Sequence, residues 1–183
     1  METLACIKKR RSVRNFTKAK IPLSDILKIV DAGRLAPSAA NIQGWFFIVV
    51  MDEKIKRKIM EACYFQRWIE DASIIIIISA NLKIYEERFG KRGKELAIMD
   101  ISAATENMCL AATDLGYGSC WVANFDKEEV RKILDIPTEV EPFIVLPIGK
   151  PKLWPTPPPK KSLEDVTRWD NFERKVPKAP LER

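Results

Sequence analysis

An α/β fold, a central sheet flanked by helices and threaded by one long helix, is predicted by three stretches of this 183-residue chain. Residues 73–80 form a β-branched run, Ile74 to Ile78 at its heart, with no polar alternation, so the strand they predict is covered on both faces. Residues 95–115 carry helical spacing with Leu96, Ala97, Ile98, Met99, Ile101, Ala103, Ala104, Met108, Leu110, Ala111 and Ala112 around most of the circumference. A helix with so little polar surface belongs in the middle of a fold or at a subunit interface, which predicts the core helix of a homodimer. Helical and strand signals alternate up to Gly149, after which Pro151, Pro155, Pro157, Pro158 and Pro159 hold the chain extended.

Taken in order, residues 3–11 predict a short helix and residues 23–35 a second, with Ile26, Leu27, Ile29, Val30 and Leu35 on its apolar face. Pro37 stops it, and residues 36–44 form a loop of turn formers and short polar side chains leading into a strand over 45–51. A charged amphipathic helix follows over 52–62. The segment 82–94, strongly charged and punctuated by Gly90 and Gly93, reads as a mobile flap or a solvated connector. After Gly116 and Gly118 a strand is predicted over 119–123, then a helix capped by Asp126 and running through Leu134, then a last strand over 141–149. Residues 150–183 read as an extended arm of the same domain, with Pro177 and Pro180 keeping its end irregular. The length suits one domain over 1–183.

Composition narrows the chemistry. The chain has no histidine, which removes Ser-His and Cys-His nucleophile pairs and the imidazole sites of most catalytic zinc enzymes. No metal site and no catalytic side chain is expected, so an enzyme of this composition borrows its chemistry from a cofactor. Cys6, Cys63, Cys109 and Cys120 lack CxxC spacing and read as reduced, buried thiols. No apolar run is long enough for a membrane span and no secretory leader is visible, which points to the cytoplasm.

The net charge of +6 is unevenly placed. Residues 1–24 hold seven basic residues against Glu2 alone, and residues 150–183 hold nine basic against five acidic, so the middle is acidic. Two basic ends converging on one small anion explain this better than a nucleic-acid face, the alternative that the pI near 9.1 suggests. Arg10-Arg11-Ser12-Val13-Arg14 is the denser end, three guanidinium forks and a hydroxyl suited to a phosphate.

Four segments in order resemble the flavin-dependent nitroreductase family. They are Arg10 to Arg14, the loop Ala36-Pro37-Ser38-Ala39-Ala40-Asn41-Ile42-Gln43-Gly44 with Trp45, the run from Met99 to Asp126, and the arm's Pro157-Pro158-Pro159-Lys160-Lys161. The resemblance covers residues 4–172. It implies a mixed central sheet in an intertwined homodimer with FMN at the interface, and NAD(P)H as hydride donor to a small electron-poor acceptor in a ping-pong order. Residue by residue it implies Arg10, Arg11, Ser12 and one of Lys160 and Lys161 at the FMN phosphate and ribityl chain, with Arg14 at the flavin N1 and O2 edge, raising its potential. Pro37, Ser38, Ala39 and Asn41 would come from the other subunit with Gln43 supporting their loop. Trp121, Val122, Ala123 and Asn124 would back the ring, and Gln66 would reach its edge. Gly44 stands where a proline is common, and Ala123-Asn124 where some members have an acidic residue and glycine. Related chemistries on the same fold, dehalogenation or flavin-fragmenting oxidation, remain open at this point.

Overall fold

A computed structural model describes residues 1–175, so the expectation for Pro177 and Pro180 lies outside the described residues. Four strands form one sheet in the order β1-β2-β4-β3: β1 is Trp45–Val50, β2 Ile74–Asn81, β3 Gly118–Ser119 and β4 Val140–Gly149. Their pairings are all antiparallel, and among the described residues the parallel contribution is one bridge between Ser12 and Ser119. β2 is central, paired on both edges, and its isoleucines are buried. Opposite faces of that strand feed separate cores: Ile74, Ile76 and Ile78 pack on one side, Ile75 and Ile77 on the other.

Helices α1 (Thr3–Lys9), α2 (Leu23–Arg34), α3 (Glu53–Ala62), α4 (Leu82–Phe89), α5 (Gly93–Asp114), α6 (Lys127–Ile133) and α7 (Leu163–Val166) complete the fold. The caps lie where short polar side chains announce them. Asp52 accepts from the amides of Lys54 and Ile55 to start α3, and Asp126 accepts from Glu129 N–H to start α6. α5 buries Ala97, Ile101, Ala104, Met108 and Ala112 against the first core, while Ile98 and Met99 stay exposed in the single chain. Leu27 and Leu35 of the predicted apolar face of α2 are likewise exposed, whereas Ile26 and Ile29 are buried. None of the helices among the described residues is long and apolar enough to cross a membrane.

The structure adds to one expectation and corrects another. Residues 82–94, expected as a mobile flap or a solvated connector, hold α4 and a 3-10 turn, Gly90–Arg92. Tyr85 is buried and Phe89 packs beside it, an i, i+4 aromatic pair that, with Leu82 and Ile84, anchors on the first core a helix whose other four side chains are charged. The strand over 119–123 shrinks to β3, because Pro147 opposite Cys120 has no N–H to return. Cys120 N–H donates to Pro147 O at 3.2 Å, and pairing resumes in the same register only at Val122 and Val145.

Candidate functional site

The basic segment leaves α1 at Arg10, where the backbone turns extended. Val13 and Phe16, three residues apart, are buried in a small core with Ala72, while Ser12, Arg14 and Asn15 are exposed. Val13 N–H donates to Ser119 O at 2.9 Å, and Gly118 has no side chain because a Cβ there would fall 2.5 Å from Val13 Cγ2. The arm starts along the other end of the same segment. Thr17 N–H donates to Lys150 O (2.8 Å), Lys152 N–H to Asn15 O (3.0 Å), and Phe16 bridges Pro151. This pairing is what brings the two basic ends together. Lys9 lies over the Trp154 ring at 5.3 Å and holds the arm further along.

The result is a pocket of about 770 Å³ whose walls include Arg10, Arg11, Ser12, Arg14, Glu106 and Lys160; Lys161 lies outside it. Arg10 Nε is 3.1 Å from Glu106 Oε1, and Arg11 Nη1 donates to the carbonyls of Lys8 (2.7 Å) and Arg10 (2.6 Å). Arg11 Nε is buried with no hydrogen-bond partner among the described residues. A charged donor left unsatisfied in a pocket wall fits a site built for an anion.

A second, smaller pocket of about 300 Å³ shares Arg14 and is lined by Gln66, Trp68, Cys120, Trp121, Val122, Ala123 and Asn124. The Arg14 guanidinium lies over the Trp68 ring at 5.8 Å, so one side chain spans both pockets. Gln66 Nε2 donates to Cys63 O at 3.0 Å. Val122 is buried, with both its N–H and its C=O spent on Val145, so it lines the pocket through packing. The exposed amides of Ala123 and Asn124 have no partner among the described residues, and neither residue adopts positive φ. Asn124 therefore meets no left-handed strain. Burial pushes the Cys120 thiol up despite Arg14 nearby, Cys63 up to about 12 and Cys109 up to about 11, so these thiols are neutral.

Pro37, Ser38, Ala39, Asn41 and Gln43 line neither pocket. Two side-chain hydrogen bonds lie within their loop: Ser38 Oγ accepts from Gln43 N–H (3.1 Å) and Gln43 Nε2 donates to Asn41 O (3.3 Å). Ala40, Asn41 and Gln43 hold φ of 47°, 56° and 50°, a costly left-handed conformation for side chains other than glycine.

A model described as the Nitroreductase family matches residues 7–66 and 60–150. The chain belongs to the nitroreductase family. A protein of Archaeoglobus fulgidus named "Putative NADH dehydrogenase/NAD(P)H nitroreductase" is 40% identical over 155 residues, 82% of this chain and 86% of its own length. An iodotyrosine deiodinase of Thermotoga neapolitana is 28% identical over 185 residues, 90% of this chain and 96% of its own. The crystal structure of a nitroreductase family protein from Clostridium novyi NT superposes with a TM-score of 0.77 at 31% identity, covering 99% of this chain and 100% of that one.

Within this nitroreductase-family site, several residues carry no signal of their own in the sequence. Glu106 is one acidic residue in a helix otherwise read for its apolar positions, and Trp68 ends a short aromatic stretch, Tyr64-Phe65-Gln66-Arg67-Trp68, that has no periodicity of its own. Tyr64 and Phe65, next to Gln66, are both exposed with φ of 55° and 56°. Consecutive left-handed aromatics are strained and mark this turn as specialised, but backbone angles at ordinary residues cannot be read from residue identity.

Proposed function

We propose that the protein is an FMN-dependent NAD(P)H oxidoreductase acting as a homodimer in the cytoplasm. The observation that carries this reading is the convergence of Arg10, Arg11, Ser12 and Lys160 on one pocket, with the unsatisfied Arg11 Nε in its wall. In this reading these four hold the phosphate and ribityl chain, and Arg14, reaching into both pockets, sets the charge beside the ring. Trp121, Val122, Ala123 and Asn124 back the ring, the free amides of Ala123 and Asn124 donating to it, and Gln66 meets its edge. Bound there, FMN supplies hydride transfer from NAD(P)H to an electron-poor organic acceptor, a nitroaromatic or a quinone, in a ping-pong order.

The loop over 36–44 reaches the site from a second copy of the chain. The exposure of Leu4, Ile7, Leu27, Ile98 and Met99 on α1, α2 and α5, and of Leu35 at the end of α2, supports that assembly, since a second copy of the chain would cover large apolar side chains that a monomer leaves in water. The test is direct: the purified protein is yellow, releases FMN on denaturation and oxidises NAD(P)H when a nitroaromatic or quinone is supplied. Colourless protein that takes up no added FMN overturns the proposal. A second reading, reductive dehalogenation on the same site, is favoured by the deiodinase relative. Iodide release from an iodinated phenol, at rates above quinone reduction, selects it.

A further inference from the structure

We infer that Asp100 is a positioning residue for the loop over 36–44: its carboxylate, with Tyr85 as a second arm, fixes the backbone in which that loop presents Ser38 and Asn41 to the cofactor. The inference rests on the proposed function and adds to it a device in the interior of the fold.

The observation starts with a cost. Asp100 lies on α5 with 6% of its surface exposed, and no lysine or arginine pairs with it among the described residues. An acidic side chain so placed is destabilising unless donors satisfy it. Two do. Ala39 N–H reaches both carboxylate oxygens at 3.0 Å, and Tyr85 O–H donates to Oδ2 at 2.7 Å. Neither donor is needed to build a helix or a strand, so the hydrogen bonds the carboxylate accepts among the described residues all join the loop and α4 to the core helix.

Ala39 is where such a bond has most leverage. It opens the 3-10 turn Ala39–Asn41, and the left-handed Ala40, Asn41 and Gln43 follow at once. Three non-glycine residues in that region within four positions persist only if something outside the loop over-determines them. The far end of the loop is set by the same tyrosine: a Cβ on Gly44 would lie 2.4 Å from Tyr85 Cε2, and Asn81 N–H donates to Gly44 O at 2.8 Å. Glycine at position 44 is thus the residue that leaves room for the Tyr85 ring. Asp100 takes the entrance to the turn and Tyr85 its exit.

The experiment compares Asp100→Asn and Tyr85→Phe with the wild-type dimer by three readouts: hydrogen exchange of peptides covering 36–44 without FMN, FMN affinity by fluorescence titration, and the visible spectrum of bound FMN. The asparagine keeps the shape but turns an N–H₂ toward one of the two donors, and the phenylalanine keeps the ring against Gly44. Both variants are expected to exchange the loop about tenfold faster or more, with β2 and the rest of α5 unchanged, to bind FMN about tenfold more weakly, and to shift its absorption band. Loop exchange and FMN affinity at wild-type values in the phenylalanine variant overturn the inference. So does exchange raised evenly across the fold in both variants, because a merely structural carboxylate would do that. Wild-type protein that takes up no FMN defeats the proposed function instead, and the loop exchange still decides the clamp.

Discussion

The two halves of the proposed site are built by opposite means. The phosphate half draws Arg10, Arg11 and Ser12 from one end of the chain and Lys160 from the other, joined by ordinary extended backbone along Asn15 to Thr17. The loop half is one contiguous stretch, forced into left-handed backbone and held from behind by Asp100 and Tyr85. Charge makes the first half and conformation makes the second. Side-chain deletions should therefore weaken the first while leaving the fold intact, and the second should respond to changes in residues that never meet a ligand.

The sharpest way to break that contrast is Arg11→Glu. Losing a hydrogen bond to a charged group costs about 1.5–3 kcal/mol, so FMN affinity by titration is expected to fall at least about tenfold, while the melting temperature drops by only a few degrees as the carbonyls of Lys8 and Arg10 lose their donor. Gly118→Ala attacks the same half through its scaffold. The new Cβ, 2.5 Å from Val13 Cγ2, overpacks the contact at about 1–3 kcal/mol, so the melting temperature by calorimetry drops by several degrees and FMN binding falls with it. A smaller effect separates the two lysines of the arm: Lys160→Ala weakens FMN severalfold, while Lys161→Ala, outside the pocket, leaves it at the wild-type value.

The smallest effect lies away from both halves. Burial raises the pKa of Glu141, but hydrogen bonds from Lys127 (2.6 Å) and Lys94 (3.2 Å) outweigh it and hold the carboxyl below its ordinary value of 4.5. A depressed folded-state pKa means stability that is present above 4.5 and lost as pH falls through the lower folded value. Glu141→Gln is expected to flatten the acid limb of a melting-temperature profile without touching FMN affinity at neutral pH.

What was legible in the sequence follows the same division. β2 and α5 were readable because burial on both faces leaves an unbroken apolar signature over Ile74 to Ile78 and along residues 95–115. The convergence of the ends was readable from charge alone, and Lys160 is the one of the two arm lysines that reaches the pocket. α4 was hidden because Lys83, Glu86, Glu87 and Arg88 mask a short apolar spacing of Leu82, Tyr85 and Phe89, and because Gly90 and Gly93 read as breaks. The interruption after Ser119 was hidden because its cause, Pro147, lies on another strand. The left-handed turn was hidden because Ala40 carries no sign of it. Asp100 and Glu106 stand in a helix whose apolar positions dominate any local reading, and their partners are distant in sequence: Ala39 and Tyr85 for one, Arg10 for the other.

The central claim, one site divided between two chains, is tested most directly by complementation. Arg11→Glu damages the phosphate half of its own chain, and Asp100→Asn the loop half that its chain lends to the partner. Each variant dimer alone is expected to bind FMN poorly. Mixed dimers, separated by tag and titrated with FMN, should regain one intact site per dimer at wild-type affinity, because the undamaged halves meet at one interface. Mixed dimers no better than the two variants alone, with the wild type still binding FMN, would contradict the divided site.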